Sequence, residues 1–563
     1  MDAVKILSAA EMQTCDRLTT ERYGVPSLEL MRAAAKAVAA FALEQFPRAR
    51  RVTVLCGKGN NGGDGMMAAR LLSVAGLEVT TLLLGEPDTL APDADEAWRE
   101  LVDAGRGTIA VVKTAEDLAQ HRGALETDLI VDALVGTGFK PPLKGLALAA
   151  LEWIKTSSEC RVPILAIDLP SGWAADETSA TVDGPAFPAD AVITFTAPKP
   201  AHVFGHLTRR WDQPVVVAPI GSPTEAIASE LGLHWAGSAM ELAQTPRGAG
   251  ANKGNFGHVL VVGGTFGTAG GKAGAPAMTA LAALRVGAGL VTAAVPAPAF
   301  ALVAGFAPEL MTWPLAATAV GEIAAQNQAP EWMAKLAKGK TVLAIGPGMG
   351  QAKETIQYVS RLLMAMVVLE KPVVIDADAL NILASQPVLL ADLARLAKDG
   401  RTVVLTPHPG EMARLAGITV AEVQEKRLEV ARGFAQRTGF IVVLKGARTL
   451  IAHPLGQVGV NTTGNPGMAK GGSGDLLTGV VAGMLAQHPD EPAQAVEAAV
   501  YLHGLAADLT VREADEHTLL ASDTIAQFSR AFRFQNSGSK GYVWLQGLPP
   551  QSQPGAVPRE ATQ

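Results

Sequence analysis

The chain has 563 residues, of which 48% are hydrophobic and 18% charged, and its formal net charge is -7. Its length exceeds the size at which one hydrophobic core keeps growing, so two or more domains are expected, and its composition excludes disorder over most of the chain. The acidic balance excludes a broad cationic surface, so we expect no nucleic-acid partner.

The N-terminal segment, MDAVKILSAAEMQTCDR, carries charges where a signal peptide needs an unbroken apolar stretch. The best candidate for a membrane span is the uncharged run 286–308, but Pro296, Pro298 and Pro308 interrupt it. We therefore expect a cytoplasmic protein without a membrane partner, in which this run forms a buried strand and loop. A homo-oligomer is also expected, without a sequence feature that defines its interface.

Two series of short, apolar, β-branched runs alternate with helical patterns. The first contains RVTVLCG, LEVTTLLLG, DLIVDALVG, VPILAIDLP, DAVITFT and PVVVAPIG, and the second contains HVLVVGG, AGLVTAAVP, TVLAIGPG, PVVIDADA, RTVVLTPHPG and FIVVLKGA. Near-continuous apolar strands separated by helices are typical of parallel sheets covered on both faces. The sequence therefore predicts an α/β fold, with a Rossmann-like three-layer domain at residues 1–225 and a second α/β domain at 251–534.

The remaining segments differ in composition from the two series. Residues 226–250 are polar and marked by glycine, which indicates a linker. Residues 535–563 are rich in Gln, Pro, Ser and Gly, which predicts a disordered tail.

The first series ends three of its strands in polar loops. The strand RVTVLCG runs into KGNNGGDG, whose glycines permit close backbone approach at the start of a helix, and two later strands end at Asp132 and at Asp168 with Ser171. The carboxyl ends of parallel strands gather at one edge, so a binding site is expected there. Plain packing of the glycines and helix capping by each aspartate are the structural alternatives.

In this order, NNGGDG, VDALVGTG and IDLPSG resemble the NAD(P)H-hydrate epimerase family over about residues 4–222. The resemblance implies a potassium ion held by Asn61, Asp132 and Ser171, and Asp168 as the catalytic acid/base. It implies that the substrate is bound by Asn60, Asn61, Gly62, Gly63, Asp64, Gly136, Thr137, Gly138, Phe139, Lys140, Pro141, Pro142 and Asp168. Lys199 is either a cation near the developing charge or a solvated surface lysine.

The second series contains NTTGNPGMAKGGSGDLLTGVVAGMLAQ, in which a glycine-rich stretch leads into a helical pattern that begins near Asp475. Backbone N–H groups of Gly472, Ser473 and Gly474 are placed to bind a phosphoryl group, and Asp475 is placed to accept a proton from an attacking hydroxyl. The alternative is that Asp475 is only a helix cap.

Together, GPGMG, DADAL, TPHPGEM, KGART and NPGMAKGGSGD resemble the NAD(P)H-hydrate dehydratase family, which has a ribokinase-like fold, over about residues 251–531. The resemblance implies that Gly348, His408 and Asp475 contact the hydrated cofactor, with Asp475 as the base. It implies that the adenine nucleotide is bound by Lys445, Gly446, Ala447, Arg448, Thr449 and Gly474. The alternative for His408 is a loop histidine whose ring bonds to the backbone.

Both resemblances together imply a bifunctional enzyme that repairs hydrated NADH and NADPH, NADHX and NADPHX. Its first domain would interconvert the R and S hydrates, and its second would dehydrate the S hydrate with magnesium and ADP, favoured over ATP, as phosphoryl donor. The alternative is a ribokinase-type kinase of another small molecule, carrying a non-catalytic dinucleotide-binding module at its N-terminus.

Overall fold

The computed structural model describes residues 3–156, 162–268, 270–536 and 541–549. The chain divides into two compact units. The first domain comprises Lys5–Leu231 and the described residues from Gln535 onward, and the second comprises Gly232–Phe534 together with the described residues before Lys5.

The first domain begins with two helices, after which strands and helices mostly alternate. Its helices are α1 Ala9–Glu21, α2 Ser27–Gln45, α3 Asn60–Val74, α4 Pro92–Asp103, α5 Ala115–Gln120, α6 Gly145–Lys155 and α7 Pro200–Phe204. Its strands in the main segment are β1 Arg51–Cys56, β2 Glu78–Leu84, β3 Thr108–Val112, β4 Leu129–Ala133, β5 Ile164–Ile167, β6 Ala191–Phe195 and β7 Val215–Ala218.

These seven strands are parallel and lie in the order β7-β6-β5-β4-β1-β2-β3. Along β1, Val54 and Cys56 belong to a core shared with α2, α3 and α4, whereas Leu55 belongs to a second core shared with α5 and α6. Because successive side chains of a strand point to opposite faces, two buried faces require apolar residues at every position. The predicted three-layer α/β arrangement is confirmed.

The second domain is larger and contains a ten-stranded mixed sheet. Its strands are β8 Leu233–Trp235, β9 His258–Val262, β10 Phe266–Gly267, β11 Gly270–Gly271, β12 Leu290–Pro296, β13 Met311–Leu315, β14 Val342–Ile345, β15 Val373–Ile375, β16 Val403–Leu405, β17 Ile441–Leu444, β18 Leu450–Ala452 and β19 Val458–Val460. Its helices are α8 Met240–Ala243, α9 Gly274–Arg285, α10 Phe300–Ala304, α11 Pro330–Ala337, α12 Lys353–Val368, α13 Ala377–Ser385, α14 Pro387–Lys398, α15 Pro409–Ala416, α16 Val420–Glu425, α17 Arg427–Thr438, α18 Ser473–Gln487, α19 Pro492–Val511 and α20 Ala521–Phe532.

The large sheet has the order β13-β12-β9-β14-β15-β16-β17-β18-β19-β8, and β10 pairs only with β11. The strands from β13 to β17 are parallel, and β18 is antiparallel to both of its neighbours. In this arrangement the loops that follow β15, β16 and β17 leave the same edge of the sheet. The run 286–308 contains the buried strand β12, as expected, but the part expected to be a loop includes a short helix, α10. No helix within the described ranges is long and apolar enough to cross a bilayer.

The expectation of a linker at 226–250 is wrong for its central part. Leu233–Trp235 forms β8, which pairs in parallel with β19 at the edge of the second sheet. Trp235 is 1% exposed, and its indole N–H donates to Thr462 Oγ1 at 2.8 Å. A three-residue strand inside a polar, glycine-marked stretch carries too little periodicity to be found from sequence.

The expectation of a disordered tail from residue 535 is also wrong for part of that segment. Val543–Gln546 forms β20, which extends the first sheet by pairing antiparallel with β7. Tyr542 and Trp544 are buried, and both rings make edge contacts with Phe41. Burial of these aromatic side chains offsets the entropy of ordering a segment whose average composition is polar. Residues 537–540 and 550–563 lie outside the described residues.

Candidate active sites

A cavity of about 690 Å³ opens at the carboxyl ends of the first domain's strands. Among the residues expected to bind substrate, those that line it are Asn60, Asn61, Asp64, Gly136, Thr137, Gly138, Phe139 and Asp168. Gly62, Gly63, Lys140, Pro141 and Pro142 are not part of the lining. A Cβ on Gly62 would lie 1.9 Å from the Gly57 carbonyl oxygen, and one on Gly63 would meet Met31 at 2.7 Å. These two glycines allow α3 to pack closely, which is the structural alternative raised by the sequence.

Asp168 and Lys199 form a buried ion pair at this cavity. The Lys199 ammonium lies 2.8 Å from Asp168 Oδ1, and the two side chains are 2% and 9% exposed. Burial alone would raise the pKa of Asp168, but the charge of Lys199, the His202 ring and the hydrogen bonds from Lys199 and Thr137 together outweigh it and hold the pKa well below its usual range. The alternative of a solvated surface lysine at position 199 is therefore wrong.

The Asp168 carboxylate accepts three further hydrogen bonds. Thr194 Oγ1 donates to Oδ1 at 2.9 Å, and the Thr137 N–H and hydroxyl donate to Oδ2 at 2.8 and 2.5 Å. The backbone of Asp168 has φ of 63°, in the left-handed region that side chains rarely adopt. Asp168 is thus an oriented, ionised acceptor in a strained turn after β5, and not a helix cap.

His202 stabilises the same turn in a single tautomer. The Lys199 backbone N–H donates to His202 Nδ1 at 3.0 Å, so the ring proton sits on Nε2, which donates to the Asp168 carbonyl oxygen at 2.7 Å. Burial and the charge of Lys199 lower the pKa of His202 to about 4, so the ring is neutral near pH 7. The sequence analysis missed this residue, whose position three residues after Lys199 in α7 is its only local signal.

Two further acidic side chains line the cavity. Burial, together with the nearby Asp168 charge, raises the pKa of Asp64 well above its usual value. Burial also raises the pKa of Asp16 to about 6, although Lys199 acts in the opposite direction. Asp16 lies on α1, ahead of every motif, so the sequence offered no indication of its place in the site.

The proposed potassium ligands are oxygen-bearing and buried. Ser171 Oγ donates to Asp132 Oδ1 at 2.6 Å, and the Ser171 N–H donates to Oδ2 at 2.8 Å. Burial raises the pKa of Asp132 to about 6, and none of the ion pairs between described residues involves this carboxylate. The side-chain oxygen and nitrogen of Asn61 are buried without a hydrogen-bond partner. An uncompensated carboxylate, a hydroxyl and an orphaned amide oxygen fit a hard monovalent cation.

In the second domain, Asp475 occupies the first turn of α18. The helix begins at Ser473 after Gly472, whose φ is 96°, so Asp475 lies inside the helix and is not its cap. Burial, followed by the neighbouring Asp376 charge, raises the pKa of Asp475 to about 6. A Cβ added at Gly474 would lie 3.6 Å from Lys445 Nζ, which shows that the start of α18 and Lys445 adjoin.

Lys445 is held between two carboxylates. Its ammonium lies 2.8 Å from Asp376 Oδ1 and 3.9 Å from Glu411 Oε2, and Thr478 Oγ1 donates to Asp376 Oδ2 at 2.6 Å. Burial would lower the pKa of Lys445, but Asp376 and Glu411 raise it above its usual value. Burial raises the pKa of Glu411 to about 7. Asp376 was visible only as part of the DADAL motif, and its pairing with Lys445 spans 69 residues.

His408 is the N-cap of α15, and its ring bonds to the backbone. The N–H groups of Gly410 and Glu411 donate to His408 Nδ1 at 3.0 and 3.3 Å. Burial and the charge of Lys445 lower the pKa of His408. This is the arrangement given as the alternative for His408, and it lies within the same loop that carries Glu411.

The segment Lys445–Thr449 forms the turn between β17 and β18. Thr449 Oγ1 donates to the Gly446 carbonyl at 2.8 Å, and Arg448 Nη1 donates to the Thr462 carbonyl at 3.1 Å. Burial lowers the pKa of Arg448 to about 10. The Arg448 side chain is only partly buried, and contact of this turn with a nucleotide stays a prediction.

Gly348 lies in a second glycine-rich loop, after β14. Its φ is 63°, and a Cβ there would lie 2.8 Å from Lys272 Cβ. Lys272 Nζ lies 3.6 Å from Asp378 Oδ2, and its charge also acts on Asp475. The structure thus brings the Lys272 and Gly348 loops together near the start of α18.

Comparison with known proteins covers both domains. A family model described as NAD(P)H-hydrate dehydratase matches residues 259–529, and one described as YjeF-related protein N-terminus matches residues 27–201. The bifunctional NAD(P)H-hydrate repair enzyme Nnr of Moorella thermoacetica is 39% identical over 528 residues, which are 92% of this chain and 95% of that protein. The chain belongs to the family of bifunctional NAD(P)H-hydrate repair enzymes.

Other bifunctional repair enzymes align over similar lengths. The one from Escherichia coli K12 is 36% identical over 539 residues, 93% of each chain. A crystal structure of the ADP/ATP-dependent NAD(P)H-hydrate dehydratase from Bacillus subtilis, co-crystallised with ATP and Mg²⁺, is 32% identical, with a TM-score of 0.42, and covers 52% of this chain and 96% of that one. Matches to both halves of bifunctional repair enzymes do not favour a ribokinase-type kinase with a non-catalytic N-terminal module.

Proposed function

We propose that the first domain epimerises R and S NAD(P)HX and that the second dehydrates S-NAD(P)HX with an adenine nucleotide. The observation that carries this proposal is a lysine–aspartate pair within each family match, buried in the first domain and partly buried in the second. Asp168 and Lys199 form it after β5, and Asp376 and Lys445 form it after β15, each at 2.8 Å. Charged groups withdrawn from water at the carboxyl ends of strands act strongly on reacting atoms.

Epimerisation requires the hydroxyl of the hydrated nicotinamide ring to leave as water and water to return on the other face. The departing oxygen gains a proton, and the returning water loses one, so the site needs a donor and an acceptor. Asp168 remains ionised and suits the acceptor and the stabilisation of the cationic ring. Asp64 and Asp16, whose pKa values are raised, suit the donor.

The first domain is proposed to hold a potassium ion through Asn61, Asp132 and Ser171. When bound, the ion supplies positive charge that orients substrate oxygens. Asp132→Asn keeps the shape of the side chain but removes its charge. We expect this variant to need a higher potassium concentration for half-maximal epimerisation, while dehydration of S-NADHX at fixed potassium is unchanged. An unaltered potassium response would contradict the ligand assignment.

Dehydration is proposed to proceed by phosphoryl transfer to the same hydroxyl. Asp475 accepts the hydroxyl proton, a new O–P bond forms as the bond from phosphorus to the nucleotide breaks, and the N–H groups at the start of α18 with Lys445 stabilise the transferring charge. Loss of inorganic phosphate from one ring carbon and a proton from its neighbour then restores the double bond. Magnesium is expected to accompany the nucleotide phosphates.

The test supplies purified protein with mixed R and S NADHX, magnesium, potassium and either ADP or ATP, and follows absorbance of the reduced nicotinamide. Full recovery of NADH is expected, faster with ADP than with ATP. Recovery of the S share alone would contradict the epimerase assignment, and no recovery with either nucleotide would contradict the dehydratase assignment.

A further inference from the structure

The second domain contains a cluster of metal-ligating side chains apart from Asp475 and Lys445. His234, His453 and Glu497 form this His–Glu cluster. His234 Nε2 lies 2.7 Å and His453 Nε2 lies 2.6 Å from the same oxygen, Glu497 Oε1, and the three atoms are all within 4.8 Å of one another. The side chains are only 16%, 9% and 7% exposed.

Each member of the cluster comes from a different element, and the surrounding packing fixes its position. His234 lies in β8, His453 follows β18, and Glu497 lies on α19. Next to His234, the buried Trp235 packs edge-on against Tyr501 of α19, with ring centroids 5.5 Å apart. This contact holds the strand against the helix, so the three ligand atoms are preorganised.

The residue of β19 next to the Glu497 carboxylate is a glycine. Gly459 of β19 pairs with His234, and a Cβ at this position would lie 2.8 Å from Glu497 Oε1. A larger residue would displace the carboxylate from the two imidazoles. The glycine therefore leaves room for the carboxylate beside the two imidazoles.

The partners of the Glu497 carboxylate are two histidines. Its Oε1 atom accepts hydrogen bonds from both His234 Nε2 and His453 Nε2. Among the ion pairs of the described chain, those of Glu497 are with these two histidines, and none is with a lysine or arginine. A buried carboxylate is costly unless a counter-charge or metal ion compensates it.

We propose that the His–Glu cluster binds a first-row divalent transition metal ion, zinc foremost, through Nε2 of His234, Nε2 of His453 and Oε1 of Glu497. Two imidazole nitrogens and one carboxylate oxygen are a donor set that such ions prefer. Zinc takes nitrogen and oxygen ligands at about 2.0–2.2 Å, so the ligand atoms must move apart by less than about 1 Å.

The surroundings of the His453 ring leave its tautomer free to change on binding. Its Nδ1 atom is buried without a hydrogen-bond partner, so no contact there fixes the proton on Nε2. The ring can move its proton to Nδ1 and present a bare Nε2 to the ion. The bound ion would connect the edge strand β8 to α19 and stabilise this side of the domain.

The test uses the full chain freed of metal with a chelator and titrated with Zn²⁺ alone in a calorimeter, with Co²⁺ absorption as a second readout. His453→Gln and Glu497→Gln remove one ligand each. His517→Gln is the matched control, because His517 also lies 2.7 Å from a carboxylate, that of Asp515, but is exposed. Substitution of a residue that only hydrogen-bonds to a metal ligand already lowers metal affinity about 10- to 100-fold. Loss of a ligand itself should therefore weaken one binding event by at least about tenfold.

The wild type and His517→Gln are expected to bind one more equivalent of Zn²⁺ than the two ligand variants and to show the intense visible bands of tetrahedral Co²⁺. Equal stoichiometry and affinity in all four proteins would overturn the proposal. Thermal unfolding of the wild type gives a readout that does not depend on whether the variants fold. A ligand that binds only the folded state raises Tm. The Tm of the wild type is expected to rise with Zn²⁺, and an unchanged Tm at saturating Zn²⁺ would overturn the proposal irrespective of the variants.

Discussion

The Lys199 ammonium contacts Asp168 Oδ1 at 2.8 Å, in a pair that is almost fully withdrawn from water. The same carboxylate receives hydrogen bonds from Thr137 in one loop and Thr194 in β6. The pair therefore fixes three segments at the cavity as well as the charge inside it. Removal of the pair should lower both the free energy of unfolding of the first domain and its epimerase activity, and each effect can be measured on its own.

Lys199→Met leaves the Asp168 carboxylate buried without its counter-charge. Breaking a buried pair on one side costs roughly 3–5 kcal/mol, so the free energy of unfolding should fall by about that amount at pH 7. The loss should shrink at acid pH, because the unpaired carboxyl then takes up a proton. Chemical denaturation across pH measures both effects.

The double variant Lys199→Met with Asp168→Asn removes both charges and should be more stable at pH 7 than Lys199→Met alone. Lys155→Met is the matched control, because Lys155 lies 2.8 Å from Glu152 in a pair that is 56% and 61% exposed. It should change stability by less than about 1 kcal/mol. Equal losses in Lys199→Met and Lys155→Met would contradict the buried pair.

Dehydratase activity should decline on the acid side of its pH profile near the pKa of Asp475, which is about 6. The base must be ionised to accept a proton, so kcat for S-NADHX should fall as pH drops below this value. The stability effect has the opposite sense. Because the folded pKa lies above the usual 3.8, the folded state binds more protons in this window, and stability decreases as pH rises through it.

Asp475→Asn should therefore lose dehydratase activity and gain thermal stability relative to the wild type as pH is raised from 4 to 7. The difference in Tm between the two proteins, measured by calorimetry, should be small at pH 4 and positive at pH 7. Asp490→Asn, at an exposed aspartate of the same domain, should show neither effect. A Tm difference that is independent of pH would show that the Asp475 carboxyl is not perturbed.

Trp544→Ala should destabilise the first domain. Trp544 is 2% exposed, lies in β20 and contacts the Phe41 ring of α2. Truncation of a buried tryptophan costs about 3–5 kcal/mol, which denaturant titration can resolve. Val74→Ala, at a position that is 61% exposed in the same domain, should change stability by at most about 0.5 kcal/mol. A similar small effect for Trp544→Ala would contradict the packing of β20.

The sequence predicted those parts of the fold and sites that local patterns encode. A strand run ending in aspartate placed Asp168 correctly at a strand end, and a glycine-rich stretch before a helical pattern placed Asp475 correctly at the start of a helix. Lys199 was ambiguous because its burial depends on a carboxylate 31 residues earlier in the chain. No local pattern distinguishes a buried lysine from a solvated one.

The remaining differences have similar causes. β20 lies in a segment of polar average composition, and its stability comes from contact with Phe41, about 500 residues earlier in the chain. The Nδ1 atom of His408 accepts backbone N–H groups at a helix start, which the sequence could not distinguish from a substrate contact, and the substrate contact itself stays a prediction. Contacts between distant segments and the rotamer of a loop side chain are decided by tertiary packing.

The most direct measurement is the amount of NADH recovered from an equal mixture of R and S NADHX. Asp168→Asn is added first and Asp475→Asn second, and a blank contains no enzyme. Asp168→Asn should recover the S share and stop, and Asp475→Asn alone should recover none. Their mixture should recover the whole, because each variant retains the activity that the other lacks. Complete recovery by Asp168→Asn alone, or no further recovery in the mixture, would contradict two separate activities at these two sites.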